Sequence, residues 1–213
     1  MVRDLSDAGQ AFPVYIAAMA GLLFLAFVYF AFGQAAVTRN SAQTAADAAA
    51  LAAAQDAREQ LREGWLDVIL DPAQWGEFLG GEGFTEPSAC RQAAVFAARN
   101  GASLDSRGNA CLRLAGGLKG FSVTVRTTGA EAQHATASAN AVIEPKCRFV
   151  APGETAPEET EPDPGPTEPG EEQEPEPITG LNCNGVSWMI DPNDPELPSA
   201  ADLFTVRLAG DDE

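Results

Sequence analysis

Histidine is nearly absent from this chain: His134 is the only one among 213 residues. Any Ser-His-Asp or Cys-His arrangement would have to use that single side chain. It stands among Gln, Ala and Thr at the start of a predicted strand, where an ordinary surface position accounts for it. No G-x-S-x-G, phosphate loop or dinucleotide fingerprint occurs. None of the four cysteines, Cys90, Cys111, Cys147 and Cys183, sits in a C-x-x-C pair or beside a histidine cluster, which argues against zinc. Asp191, Asn193, Asp194 and Glu196 offer oxygen atoms to calcium. Their proline spacing and missing glycine break the EF-hand loop, however, and Asp-Pro turns explain the segment. Trp188 and Met189 are expected to fill core. The expectation is a protein without catalytic activity, cofactor or metal.

Basic residues are also scarce, 13 Lys and Arg against 31 Asp and Glu, for a net charge of −18. That balance argues against nucleic acid or an anionic lipid surface as partner. The acid is uneven: Ala151 to Pro177 holds ten acidic residues, eight prolines and no base. Such a stretch, taken as residues 151–178, cannot bury enough apolar surface to fold and reads as a disordered, extended spacer.

The last absence is the most informative. No charged side chain occurs between Ala8 and Thr38, and Phe12 to Phe32 reads FPVYIAAMAGLLFLAFVYFAF. As a helix this run extends roughly 32 Å, against about 30 Å of bilayer hydrocarbon. A helix apolar on every face sits in lipid or inside other protein, so residues 12–33 are expected to span a membrane behind a short cytoplasmic leader, 1–11. Pro13 falls at the helix start, where a missing amide proton costs little. Ala17 and Gly21 form a small-xxx-small pair of the kind that lets a second helix approach closely. Ala31-Phe32-Gly33 has the form of a cleavage site, but the apolar core is too long for an ordinary secretory signal. The flanking charges, Arg3, Asp4 and Asp7 before the span and Arg39 after it, hardly bias orientation. The cysteines do: an even number beyond a membrane segment suggests two disulfides in an oxidising space, hence a cytoplasmic N-terminus and an extracytoplasmic C-terminal part. Three pairings are open; sequence neighbours, Cys90 with Cys111 and Cys147 with Cys183, are preferred.

Beyond the span, Gln34 to Glu63 contains neither proline nor glycine and is dominated by alanine, the best helix former. It is expected to extend the rod by about 45 Å, stop at Gly64, and favour helix-on-helix packing over a domain core. A small α+β domain follows over 64–150. Two short apolar patches flank Asp71-Pro72, and Ser88 is expected to cap a helix ending at Asn100-Gly101. Strands are predicted at Ala110–Ala115, at Phe121–Arg126 with period-two alternation, and at His134–Glu144, where alternate alanines could accept a close-packed helix. In the last segment, 179–213, Gly185–Ile190 and Leu203–Leu208 are expected to pair as a hairpin-like unit returning to the sheet.

Two motifs carry a family resemblance: Gly9-Gln10-Ala11-Phe12-Pro13 opening the apolar run, and Ala45-Ala46-Asp47-Ala48-Ala49-Ala50-Leu51-Ala52 shortly after it. Together they resemble the TadE/TadG-like proteins of the tight-adherence (Flp) pilus assembly machinery over residues 7–60. Within that motif Gly9, Gln10, Ala11, Pro13, Ala46, Asp47, Ala48 and Leu51 match. The resemblance implies a minor pilin-like component or membrane anchor, with membrane lipid, other pilin-like subunits and assembly-platform proteins as partners. Type IV-like prepilins are cleaved after a Gly and carry Glu at the fifth mature position; a cut after Gly9 would place Val14 there, which favours a permanent anchor. The metal-binding D-x-S-x-S of some relatives is absent. A membrane-tethered module that binds a ligand or surface is the alternative function.

Overall fold

A computed structural model describes residues 11–129, 134–151, 177–193 and 196–210. Most of the leader, including Gly9 and Gln10, nearly all of the acidic segment, and Asp194 lie outside the described residues. The first element is one continuous helix, α1, Ala11–Asp67. It joins the apolar span and the alanine-rich run without a break: no proline follows Pro13 within it, and the helix runs on through Gly33 at the junction. The helix passes through Gly64 instead of ending there. A Cβ at that position would overlap the ring of Phe78, so the glycine opens a slot for an aromatic side chain. Gly64→Ala is expected to cost about 1–2 kcal/mol, overpacking outweighing the gain in helix propensity. Urea unfolding in mild detergent measures it; a stabilised variant would remove the slot explanation.

After α1 come a 3-10 turn, Pro72–Gln74, and short α2, Trp75–Leu79. The next helix, α3, is Glu86–Arg99. It begins two residues ahead of Ser88, at a Thr85 cap whose N–H and hydroxyl both bond to Gln60 Oε1 on α1, so tertiary anchoring sets the start. The strands are β1 Ala102–Leu104, β2 Cys111–Arg113, β3 Gly120–Thr127, β4 Thr136–Pro145, β5 Cys147–Phe149, β6 Ile178–Cys183, β7 Val186–Ile190 and β8 Phe204–Ala209, with α4, Ala200–Leu203, before the last. The first predicted strand is therefore trimmed to β2, ended by Gly116 and Gly117 at φ 76° and 85°.

All pairings are antiparallel. One sheet runs β1-β3-β4-β8, with β2 sharing the β1 edge of β3; a second runs β5-β6-β7. The two C-terminal strands thus do not pair with each other: β7 pairs with β6, and only β8 joins β4. The β6–β7 connection is a two-residue turn, Asn184 at φ 51° and Gly185 at φ 85°, the positive pair that a tight hairpin needs.

The alanine-rich half of α1 is the core helix of this domain, not an extension outside it. From Ala42 to Trp65 its buried side chains face α3 and the sheet. Opposite lie Ala89, Ala93 and Ala97 of α3, and Phe121, Val123, Val125, Ala139, Ala141 and Ile143 of the sheet, all buried. The core tapers. It is alanine-lined where α1 enters, and becomes aromatic where Trp65 meets Trp75 (centroids 5.4 Å) and Trp75 meets Phe149 (4.8 Å). Each methyl group adds little on its own; the close approach of backbones that alanine permits adds dispersion along the whole seam. Ser122, Thr124 and Ser138 take the other sheet face, with Thr124 Oγ1 2.8 Å from Ser138 Oγ. On β7, Trp188 is half-buried and Met189 is exposed, so Met189 is not core.

Candidate membrane-spanning stalk and its junction with the domain

From Phe12 to Ser41 no α1 side chain is buried: Phe12, Leu23, Tyr29 and Phe32 are 71, 69, 81 and 74% exposed. By length and composition this helix can cross a membrane. Beyond its own helix Gly21 has no atom within 4 Å of where a Cβ would stand, and Ala17 is exposed, so among the described residues this small-residue pair faces no other element. Pro13 lies in the first turn of α1.

The second motif sits where the rod enters the domain. Ala46 is fully buried, whereas Asp47, Ala48 and Leu51 are half-buried. Asp47 Oδ1 accepts from Gln43 Nε2 at 2.8 Å, and the same amide lies 3.5 Å from Ser138 O on β4. Asp47 therefore marks the rim between α1 and the sheet, with alanines turned inward. The motif is built for packing: its spacing grafts a helix onto a sheet.

The domain reaches back along α1 almost to the apolar run. Val37, Asn40, Ser41 and Thr44 form a groove with Asn100 at the end of α3, and Ala35, Thr38 and Arg39 form another with His134, Ala135 and Thr136 at the start of β4. His134 is exposed and precedes β4 by two residues. The convergence of these chain segments, separated by 60 to 100 residues in sequence, had no signal in the sequence pattern.

At the far end, Cys90 is bonded to Cys111 and Cys147 to Cys183, with Cα atoms 5.8 and 4.0 Å apart. The first bond ties α3 to β2, the second β5 to β6. Beside Phe84, whose ring lies 5.5 Å from Phe121, Arg113 stacks its guanidinium 4.0 Å from the Phe84 centroid and donates to Phe84 O. Lys119 Nζ bonds Glu82 at 2.5 Å, which holds the Glu82 carboxyl below its ordinary range. The Asp202 carboxyl is likewise lowered, by hydrogen bonds from the Ser199 hydroxyl and N–H in the capping box of α4. Asp191 accepts the N–H of Asn193 at 2.8 Å, the Asx turn of an Asp-Pro segment. Among the described residues no three His, Cys, Asp or Glu side chains cluster as a metal site.

Residues 9–56 match the family of Flp pilus-assembly TadE/G-like proteins, less than a quarter of the chain. The match begins ahead of the span and ends inside the alanine seam. No curated protein and no solved structure matches the chain.

Proposed function

We propose, taking as premise that residues 9–56 make this a TadE/G-like chain, that the protein is a minor pilin-like component or membrane anchor of a Tad/Flp-type pilus assembly or secretion apparatus. The N-terminus lies in the cytoplasm and the domain outside, where Cys90–Cys111 and Cys147–Cys183 oxidise. Its partners are membrane lipid, other pilin-like subunits and assembly-platform proteins.

One observation carries this reading: α1 is unbroken from the apolar span to the aromatic end of the domain core. A pull or rotation applied to the span is thereby passed to the domain without a hinge. The shared segment contains just this coupling, span plus graft, and leaves out most of the domain. Ala17 and Gly21 lie on the exposed span, where a second helix can approach closely.

The test uses Val37→Pro in the full chain. Val37 is exposed and precedes the first buried core residue, Ala42, so the domain keeps its packing while the rod kinks. In the native cell, deletion of the chain is expected to abolish surface pili. The native sequence restores them and Val37→Pro does not, although the variant accumulates in membranes with both disulfides formed. Pili that persist after deletion would defeat the assembly role.

A further inference from the structure

The acidic balance of the whole chain conceals a local reversal where the domain meets the span. Four arginines from four separate segments come to one level there. Arg39 is on α1 and lines the groove shared with His134 and Thr136. Arg126, on β3, is the cross-strand partner of Thr136. Arg107, on the β1–β2 loop, lies with Nη2 3.3 Å from Thr136 Oγ1. Arg99 ends α3 beside Asn100, which lines a groove with Val37 and Asn40 of α1. Arg39, Arg99 and Arg107 are exposed, and Arg126 is half-exposed. Against them stand Asp105, which accepts from Arg107 Nε at 3.3 Å, and in sequence Glu131, outside the described residues. Four of the 13 basic residues in the chain thus gather beside Asp105.

Depth matters as much as sign. Arg39 lies seven residues beyond Phe32, about 10 Å along the helix axis. The polar layer on each side of the hydrocarbon is about 5–8 Å deep. Arginine stems lie along apolar surface and carry their heads several ångströms from the backbone, which brings these guanidinium groups to the phosphates. The planar fork matches a phosphate in two-point contact. We infer that Arg39, Arg99, Arg107 and Arg126 form a cationic collar that seats the domain on anionic phospholipid headgroups of the bilayer spanned by α1. This inference rests on the membrane-spanning reading of α1 given above. The collar fixes how far the rod projects, since sliding outward would pull it off the phosphates and sliding inward would bury it in hydrocarbon.

The test is lipid selectivity of the full-length chain reconstituted in phosphatidylcholine bilayers containing phosphatidylglycerol, read with spin-labelled lipids of both kinds. Labelled phosphatidylglycerol is expected in the immobilised first shell about threefold over phosphatidylcholine at low salt, and near equality at about 0.5 M NaCl. Arg39→Gln with Arg99→Gln is expected to remove most of the preference without changing the circular dichroism. Adding Arg107→Gln and Arg126→Gln should remove the rest; if the fourfold variant does not fold, the double variant decides. Equal association of the two lipids with the native chain, or a preference untouched by the double variant, overturns the collar. Loss of the preference to inorganic phosphate at matched ionic strength would assign the arginines to a soluble anion and overturn it too. A chain that alkaline carbonate strips from the bilayer would instead defeat the membrane-spanning reading itself.

Discussion

Replacing Trp75 with alanine is expected to destabilise the domain by about 4 kcal/mol, in the range for a fully buried aromatic truncated to a methyl group. Trp75 is 0% exposed and stands between two partners, edge-on to Trp65 at the end of α1 and to Phe149 of the second sheet. Its Nε1–H donates to Val68 O at 3.1 Å, closing the loop that follows α1. Truncation removes both ring contacts and that bond at once, and the cavity falls where two packed units meet. Urea unfolding of the full-length chain in mild detergent, followed by near-ultraviolet circular dichroism, measures the loss; the thermal midpoint is expected to fall by about 10 °C. A loss below about 1 kcal/mol would mean that the second sheet is not mechanically continuous with α1.

The second large effect is the removal of the Cys147–Cys183 bond. Cross-linking residues 36 apart in sequence lowers the entropy of the unfolded chain by about 4 kcal/mol in stability terms. The closed loop contains the acidic, proline-rich stretch, so without the bond its ten like charges also oppose bringing β5 and β6 together. The pairing that remains is short, three register positions from Cys147 to Phe149 flanked by the bonds from Asn184 N–H to Lys146 O and from Val150 N–H to Gly180 O. Cys147→Ser with Cys183→Ser is expected to cost about 4 kcal/mol. It should also release hydrogen-exchange protection in β5, β6 and β7 before that in β3 and β4, because the main sheet has its own helix cover. Simultaneous loss of protection in both sheets would show one cooperative unit instead.

Much of the architecture was legible from residues 12 to 144. The charge-free run required an apolar environment. The proline-free continuation required one rod. The alternation of Phe121, Val123 and Val125 with Ser122, Thr124 and Arg126 identified a half-buried strand, and the alanines of β4 pointed to a helix packed closely upon it. The failures came where pattern gives a face but not a partner. Phe204 to Leu208 and Val186 to Ile190 both read as strands, yet they belong to different sheets. The short-range signal for the second sheet was Asn184-Gly185, whose left-handed backbone closes β6 on β7. Ser88 has the chemistry of a cap, whereas Gln60 on a different helix fixes Thr85 in that position. Glycine often ends helices, but at Gly64 the ring of Phe78 needs the space a β-carbon would fill.

A lipid-compatible rod, an alanine surface on its continuation and half-buried strands all follow from side-chain chemistry repeated at the period of a helix or a strand. Only long-range packing makes the alanine surface the core of the domain, sets which strands adjoin, and brings four arginines far apart in the chain to the junction of domain and rod. Periodicity fixes which side of an element avoids water. Which partner covers that side, and what else is carried to the same place, is settled only when distant segments compete for the same surface.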